Sequence, residues 1–202
     1  EGVDDITDDM TDLYQLDEQG DGSDAAPRTG GVVWMSSMVA NLALVSRTDG
    51  LWRSTDGGET WAPTDALGEV HAFSDAPRGL IIAGTPYGRR FSKDEGQTWH
   101  SNLDPISRIE TFDFATDGDK IYAGTAEGLF LSKDGLSWAK LLSRYDADVP
   151  IWNVAIDRHW DGGLWVTGPV GILRSDDGGE QHAHLRRVPH PIRRTSSAAG
   201  AR

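Results

Sequence analysis

The sequence predicts an all-β fold of four tandem units, each of four antiparallel strands, on three observations. A turn motif recurs in phase, short apolar runs flank it at matching offsets, and no stretch carries a helical period of useful length. The motif is Ser54-x-Asp56-x-Gly58-x-Thr60-Trp61, then Ser92-x-Asp94-x-Gly96-x-Thr98-Trp99. A third copy, Ser132-x-Asp134-Gly135-x-Ser137-Trp138, is one residue shorter. The fourth, Ser175-x-Asp177-x-Gly179, loses its pattern after Glu180, where Gln181 and His182 stand in place of Thr and Trp. The motifs begin at positions 54, 92, 132 and 175. That spacing matches the roughly 40–50 residues of one four-stranded propeller blade.

Each element follows from its composition. The innermost strand, A, is expected at 32–38, 69–73, 109–115 and 151–156. Strand B is the apolar run at 43–45, 81–83, 121–123 and 164–166. Gly50, Gly88, Gly128 and Gly171 each lie four residues before a motif serine and mark a tight B–C turn. Strand C fills the space between that glycine and the serine. The motif makes the C–D turn, and Trp61, Trp99 and Trp138 open strand D. A short carboxylate in such a turn accepts N–H bonds from its own backbone. A glycine supplies a positive φ there without steric cost. Each tryptophan can bury about 150–250 Å² between blades. The turns sit on separate blades, so their carboxylates do not converge on one centre. Their expected role is structural.

Charge is unevenly placed in the 202 residues, whose net charge is −13. Residues 1–26 hold ten acids and no base, and 181–202 hold five arginines and no acid. The expectation is an acidic, disordered segment over 1–30, blades over 31–180, and a basic, disordered tail over 181–202. An acidic body argues against nucleic acid as a partner. No run approaches the ~18 apolar residues of a membrane helix. With no cysteine, disulfides and thiolate metal sites are excluded. His71, His100 and His159 stand alone, and His182 and His184 fall in the tail. Asp117-Gly-Asp119 is an ordinary turn composition, so neither metal nor cofactor is expected. The compartment stays open; an extracytoplasmic one is expected if Glu1 marks a processed start.

The motif resembles the Asp-box, or BNR, repeat of sialidases, xyloglucan-active glycoside hydrolases, sortilin-type receptors and photosystem II assembly factors. The resemblance covers about residues 31–180 and implies a β-propeller; it does not fix a function. The sialidases it implies carry an Arg-Ile-Pro motif near the N-terminus. The nearest string here is Arg108-Ile109-Glu110. The arginines show no spacing that singles out three for a substrate carboxylate. Glycoside hydrolysis needs two carboxylates at a defined separation, and choosing two among 22 acids in the body carries no information. There is no Gly-x-Ser-x-Gly elbow, phosphate loop or dinucleotide fingerprint.

The expected function is therefore a non-enzymatic scaffold that binds a protein or glycan; the alternative is a partial glycoside hydrolase. Ligands are expected on the face opposite the boxes, where loops vary. That face collects Arg47-Thr48-Asp49, Pro86-Tyr87, Ala126-Glu127 and Pro169-Val170, with the D–A loops 102–108 and 144–152. Tyr87, Arg108, Glu127 and Trp152 are its candidate rim, and Trp160 is assigned to packing. Four blades are few for an Asp-box ring, so the chain closes alone, pairs with a second copy, or belongs to a longer protein. The third is expected, and self-association follows if the ring is incomplete.

Overall fold

The structure is a computed structural model that describes residues 31–47, 50–64, 67–141, 149–159, 163–179 and 186–187. These residues form four antiparallel sheets in chain order. Blade 1 is β1 (Val32–Met35), β2 (Ala43–Arg47), β3 (Gly50–Ser54) and β4 (Ala62–Pro63). Blade 2 is β5 (Ala72–Ala76), β6 (Leu80–Thr85) and β7 (Gly88–Ser92). Blade 3 is β8 (Thr111–Asp117), β9 (Lys120–Thr125), β10 (Gly128–Ser132) and β11 (Ala139–Lys140). Blade 4 is β12 (Asn153–Asp157), β13 (Gly163–Gly168), β14 (Gly171–Ser175) and β15 (Arg186–Arg187).

Strands B and C match expectation, and the glycine of each B–C turn begins strand C; strand A starts later than expected in blades 2, 3 and 4, at Ala72, Thr111 and Asn153, because the residues before each of them run as loop. Strand D is the weak member. In blades 1 and 3 it is two residues long and starts one residue after Trp61 or Trp138. In blade 2 it shrinks to a single bridge, where Phe91 and His100 exchange N–H···O bonds of 2.9 and 2.8 Å. The expected four strands are therefore three in that sheet. The reason lies just downstream, where Asn102 and Asp104 leave the sheet direction to meet the Arg89 side chain. In blade 4 the sheet continues past position 180, because Arg186–Arg187 pair with Leu173 and Arg174. The expected segment 1–30, the rest of the tail, Thr48, Asp49, 144–148, Trp160, His182 and His184 lie outside the described residues.

Successive blades stack on one another. β1 lies beside β5, β5 beside β8, and β8 beside β12, so the A strands line a common axis. Every β-strand shows two faces, because side chains alternate. One face packs on the preceding blade and the other on the following blade. Three apolar layers result. Leu44, Leu51 and Trp34 of blade 1 meet Phe73, Ile81 and Ala83 of blade 2. Leu80, Ile82 and Phe91 of blade 2 meet Ile121, Ala123 and Phe130 of blade 3. Tyr122 and Leu129 of blade 3 meet Val154, Val166 and Leu173 of blade 4. At about 25 cal/mol per Å² of apolar surface, these layers are the main favourable term for the assembly.

Polar clamps supplement them near the axis. Asp75 on β5 accepts from Ser36 Oγ (2.6 Å), Ser37 N (2.6 Å) and Ser37 Oγ (2.8 Å) of blade 1. Asp113 on β8 sits at a bulge, which turns its carboxylate toward blade 4. There it accepts from Val154 N at 2.8 Å. Burial pushes its carboxyl above the ordinary range, against the hydrogen bonds from Val154 and Phe114.

Candidate functional site

The four boxes share one hydrogen-bond plan. Ser54 Oγ donates to Asp56 Oδ1 at 2.6 Å and accepts from Gly58 N at 2.9 Å. Asp56 accepts from Thr60 N (3.0 Å) and Thr60 Oγ1 (2.5 Å), and Trp61 Nε1 donates to Gly58 O (3.0 Å). The second box repeats this through Ser92, Asp94, Gly96, Thr98 and Trp99. In the third, Asp134 accepts from Leu136 N and Ser137 N at 2.8 and 2.7 Å, so one residue fewer still closes the loop. In the fourth, Ser175 donates to Asp177 and both oxygens receive Gly179 N. Gly58 and Gly96 hold φ of 100° and 85°, which a side chain disfavours.

In the first three boxes both carboxylate oxygens accept from their own turn. The Ser54 hydroxyl, then Thr60, hold Asp56 well below the usual carboxylate range. For Asp94, burial pushes upward, but the bonds from Thr98 and Ser92 bring it down to about 2. Such a group is ionised at any physiological pH and is a poor proton donor or acceptor. Asp94→Ala is expected to cost about 1–2 kcal/mol at neutral pH, the scale of leaving turn N–H groups without a partner. A lowered folded pKa means that this stability is present above the ordinary value and is lost as pH falls toward 2. The urea midpoint of the variant should thus trail the parent at pH 7 and approach it in strong acid.

The opposite face carries the predicted rim. Tyr87, Arg108, Glu127 and Trp152 are all exposed, Tyr87 at 74 % and Trp152 at 48 %. Three close backbone approaches order them into a row. A side chain at Gly88 would meet Ser107 O at 2.3 Å and Arg108 N at 2.7 Å, so the Tyr87 turn lies against Arg108. Ala126 N donates to Glu110 O at 2.9 Å, which sets the Glu127 turn beside that loop. Ile151 N donates to Thr125 O at 2.9 Å, which sets Trp152 next along. The row therefore crosses blades 2, 3 and 4.

What holds its first half was not visible beforehand. The Arg89 side chain is fully buried. One of its terminal nitrogens meets both Asn102 Oδ1 and Asp104 Oδ2. Asn102 Nδ2 in turn donates to Leu136 O of the third box at 3.0 Å. Asp104 also caps the short 3₁₀ turn at Pro105–Ser107, accepting from Ile106 N at 2.9 Å. Burial lowers the guanidinium pKa, and the Asp104 bond opposes it. The neighbouring Arg90 spans Tyr87 O (3.4 Å) and Ser107 O (3.3 Å), joining turn and loop. An arginine pair in strand C, at the position of Leu51-Trp52 in blade 1, was the only sequence sign. Leu103 in the same loop is exposed as well. Among the described residues no group of three or more His, Cys, Asp or Glu is placed to hold a metal ion.

Solved structures bear on these sheets. A crystal structure of an ancestral GH74 enzyme superposes with a TM-score of 0.65 over 82 % of this chain and 25 % of its own, at 22 % identity. These sheets are blades of a β-propeller. The propeller of a YCF48 protein bound to D1 peptide superposes with a TM-score of 0.55, at 19 % identity, over 82 % of this chain and 57 % of that one. In sequence, the photosystem II assembly lipoprotein Ycf48 of Prochlorococcus marinus (strain MIT 9313) is 30 % identical over 152 residues. The match takes in 68 % of this chain and 44 % of that protein, so the chain spans less than half the length of its curated relative. No protein-family model matches the sequence. The likeness to the solved propellers is one of fold.

Proposed function

We propose that the chain is a non-enzymatic propeller scaffold, and that its loop-face row binds a protein partner in extended form. The observation that carries this is the row itself. An exposed tyrosine and an exposed tryptophan flank a cation and a carboxylate on adjacent blades, held by backbone contacts at fixed separations. Aromatic side chains with a polar edge are the usual anchors of protein recognition, since they bring large contact area at low entropic cost. The sequence likeness to an assembly protein, and the D1 peptide bound to a YCF48 protein of similar fold, support a peptide over a glycan. The carboxylates of the first three boxes are committed to their own turns and so favour a structural role over a catalytic one.

Titrating the D1 peptide against the intrinsic tryptophan fluorescence of this chain tests the reading. Saturable binding is expected, with affinity falling at least tenfold in Tyr87→Ala/Trp152→Ala, a loss of ~1.4 kcal/mol or more. Binding of xyloglucan oligosaccharide in preference to the peptide would contradict it. So would turnover of a glycoside by the purified chain.

A further inference from the structure

Three adjacent blades bring a ring to the same height at the axis. Register places Ala72, Asp113 and Asn153 at one repeat position, opposite Gly84, Gly124 and Thr167 of strand B. The residue before each carries a ring: His71, Phe112 and Trp152. In blade 3 the ring is supplied by the bulge, which falls between Thr111 and Asp113 and inserts Phe112. β5, β8 and β12 are neighbours around the axis, so the rings follow one another from blade to blade. The first step is a parallel stack, with the His71 and Phe112 centroids 5.8 Å apart and their planes inclined by 8°. His71 Nδ1 donates to Thr111 O at 3.2 Å, which fixes that ring on the next blade. His71 and Phe112 are half-buried and Trp152 is exposed, so ring surface stays open to solvent.

A carboxylate accompanies two of the rings at the same offset. Glu69-Val70-His71 and Glu110-Thr111-Phe112 repeat one pattern, with the acid two residues before the ring. In blade 2 the acid reaches its ring, since Glu69 Oε1 lies 3.7 Å from His71 Nε2 while the side chain remains largely exposed. Blade 3 repeats the spacing. Glu110 is half-buried, and its carboxylate has no hydrogen-bond or ion-pair partner among the described residues. The connectors run from the outer strand D to the inner strand A, so Glu110 stands nearer the axis than Arg108, which lies against the Tyr87 turn.

We propose that this mouth of the axis binds a guanidinium, the arginine side chain of a protein partner. It rests on the protein-partner reading only for the source of that arginine. A planar cation stacks on aromatic faces and takes carboxylates along its edge, the two kinds of group that the repeat sets side by side here. An apolar side chain in the same place would cover the Glu110 carboxylate without pairing it, at a cost in desolvation. A metal ion fits less well, because among the described residues no three ligating side chains are placed for one.

Titration of the intact chain with N-acetylarginine amide, and with N-acetylcitrulline amide as its uncharged counterpart, tests this. The readout is the indole N–H resonance of Trp152, assigned by its loss in Trp152→Phe. A saturable shift is expected with the arginine amide, and binding weaker by about fivefold or more with the citrulline amide. The variant Glu69→Gln/Glu110→Gln is expected to weaken the arginine amide by a similar factor. Both changes keep side-chain size, and neither residue belongs to an apolar layer, so the remaining resonances should hold their positions. Equal binding of the two amides overturns the proposal, as does an arginine shift that survives the double substitution. D1 peptide that binds where the arginine amide does not overturns this site and leaves the partner reading standing. The arginine amide binding where the D1 peptide does not upholds the site and counts against the peptide reading.

Discussion

Asp104→Ala is expected to cost about 3–5 kcal/mol, the scale of stranding one member of a buried ion pair. Arg89 is fully buried, and the carboxylate is its charge partner in the contact with Asn102 and Asp104. Removing the carboxylate leaves a guanidinium in a low-dielectric setting, and takes away the cap on the turn at Ile106. The double variant Arg89→Met/Asp104→Ala should recover much of that loss, since no uncompensated charge remains. Urea unfolding of the single and double variants measures the coupling. A single variant within ~0.5 kcal/mol of the parent, as for an ordinary surface change, would show that the pair carries no such weight. The loop that Asp104 organises also seats Arg108, so peptide affinity should fall alongside stability.

Trp138→Ala is expected to cost about 3–5 kcal/mol, the range for truncating a large buried aromatic side chain. Its ring is buried between blades 2 and 3 beside Ala76, Leu80, Ile82 and Phe91, and lies 6.0 Å from Phe114. The same substitution at Trp61 should cost less than half as much. Trp61 makes the same bond to its own box, Nε1 to Gly58 O, but is only half-buried. The comparison separates the turn from the joint, since both variants lose the turn bond and only one loses the layer between blades. Equal costs would mean that the tryptophans act within their own turns.

Much of the architecture was legible because the repeat is written in residue types with few alternatives. A serine, an aspartate and a glycine at fixed offsets have one economical way to close a short turn, and Gly50, Gly88, Gly128 and Gly171 marked the start of every strand C. The strands of blade faces were legible because alternation of apolar side chains is a local property. Strand D was not, since a two-residue edge leaves almost no pattern, and in blade 2 a tertiary demand from Arg89 removed it. The rim was legible as a set of loop residues, but not as a row. Its order depends on contacts between turns far apart in sequence, such as Ala126 with Glu110 and Ile151 with Thr125. Arg89 was the clearest miss, because a charged residue in strand C reads as exposed until its two partners, 13 and 15 positions later, are folded back onto it.

Because each of the first three boxes satisfies its carboxylate inside eight residues or fewer, its closure needs no help from distant parts of the chain. Loops that short carry little closure entropy, so any one of these hairpins can form first. Growth then proceeds by docking a neighbour, as in other linear arrays of repeats. Folding so arranged has no obligatory starting blade. A lesion in one box should slow its own hairpin and leave the others to form at their own pace, which makes the repeat number itself easy for evolution to change.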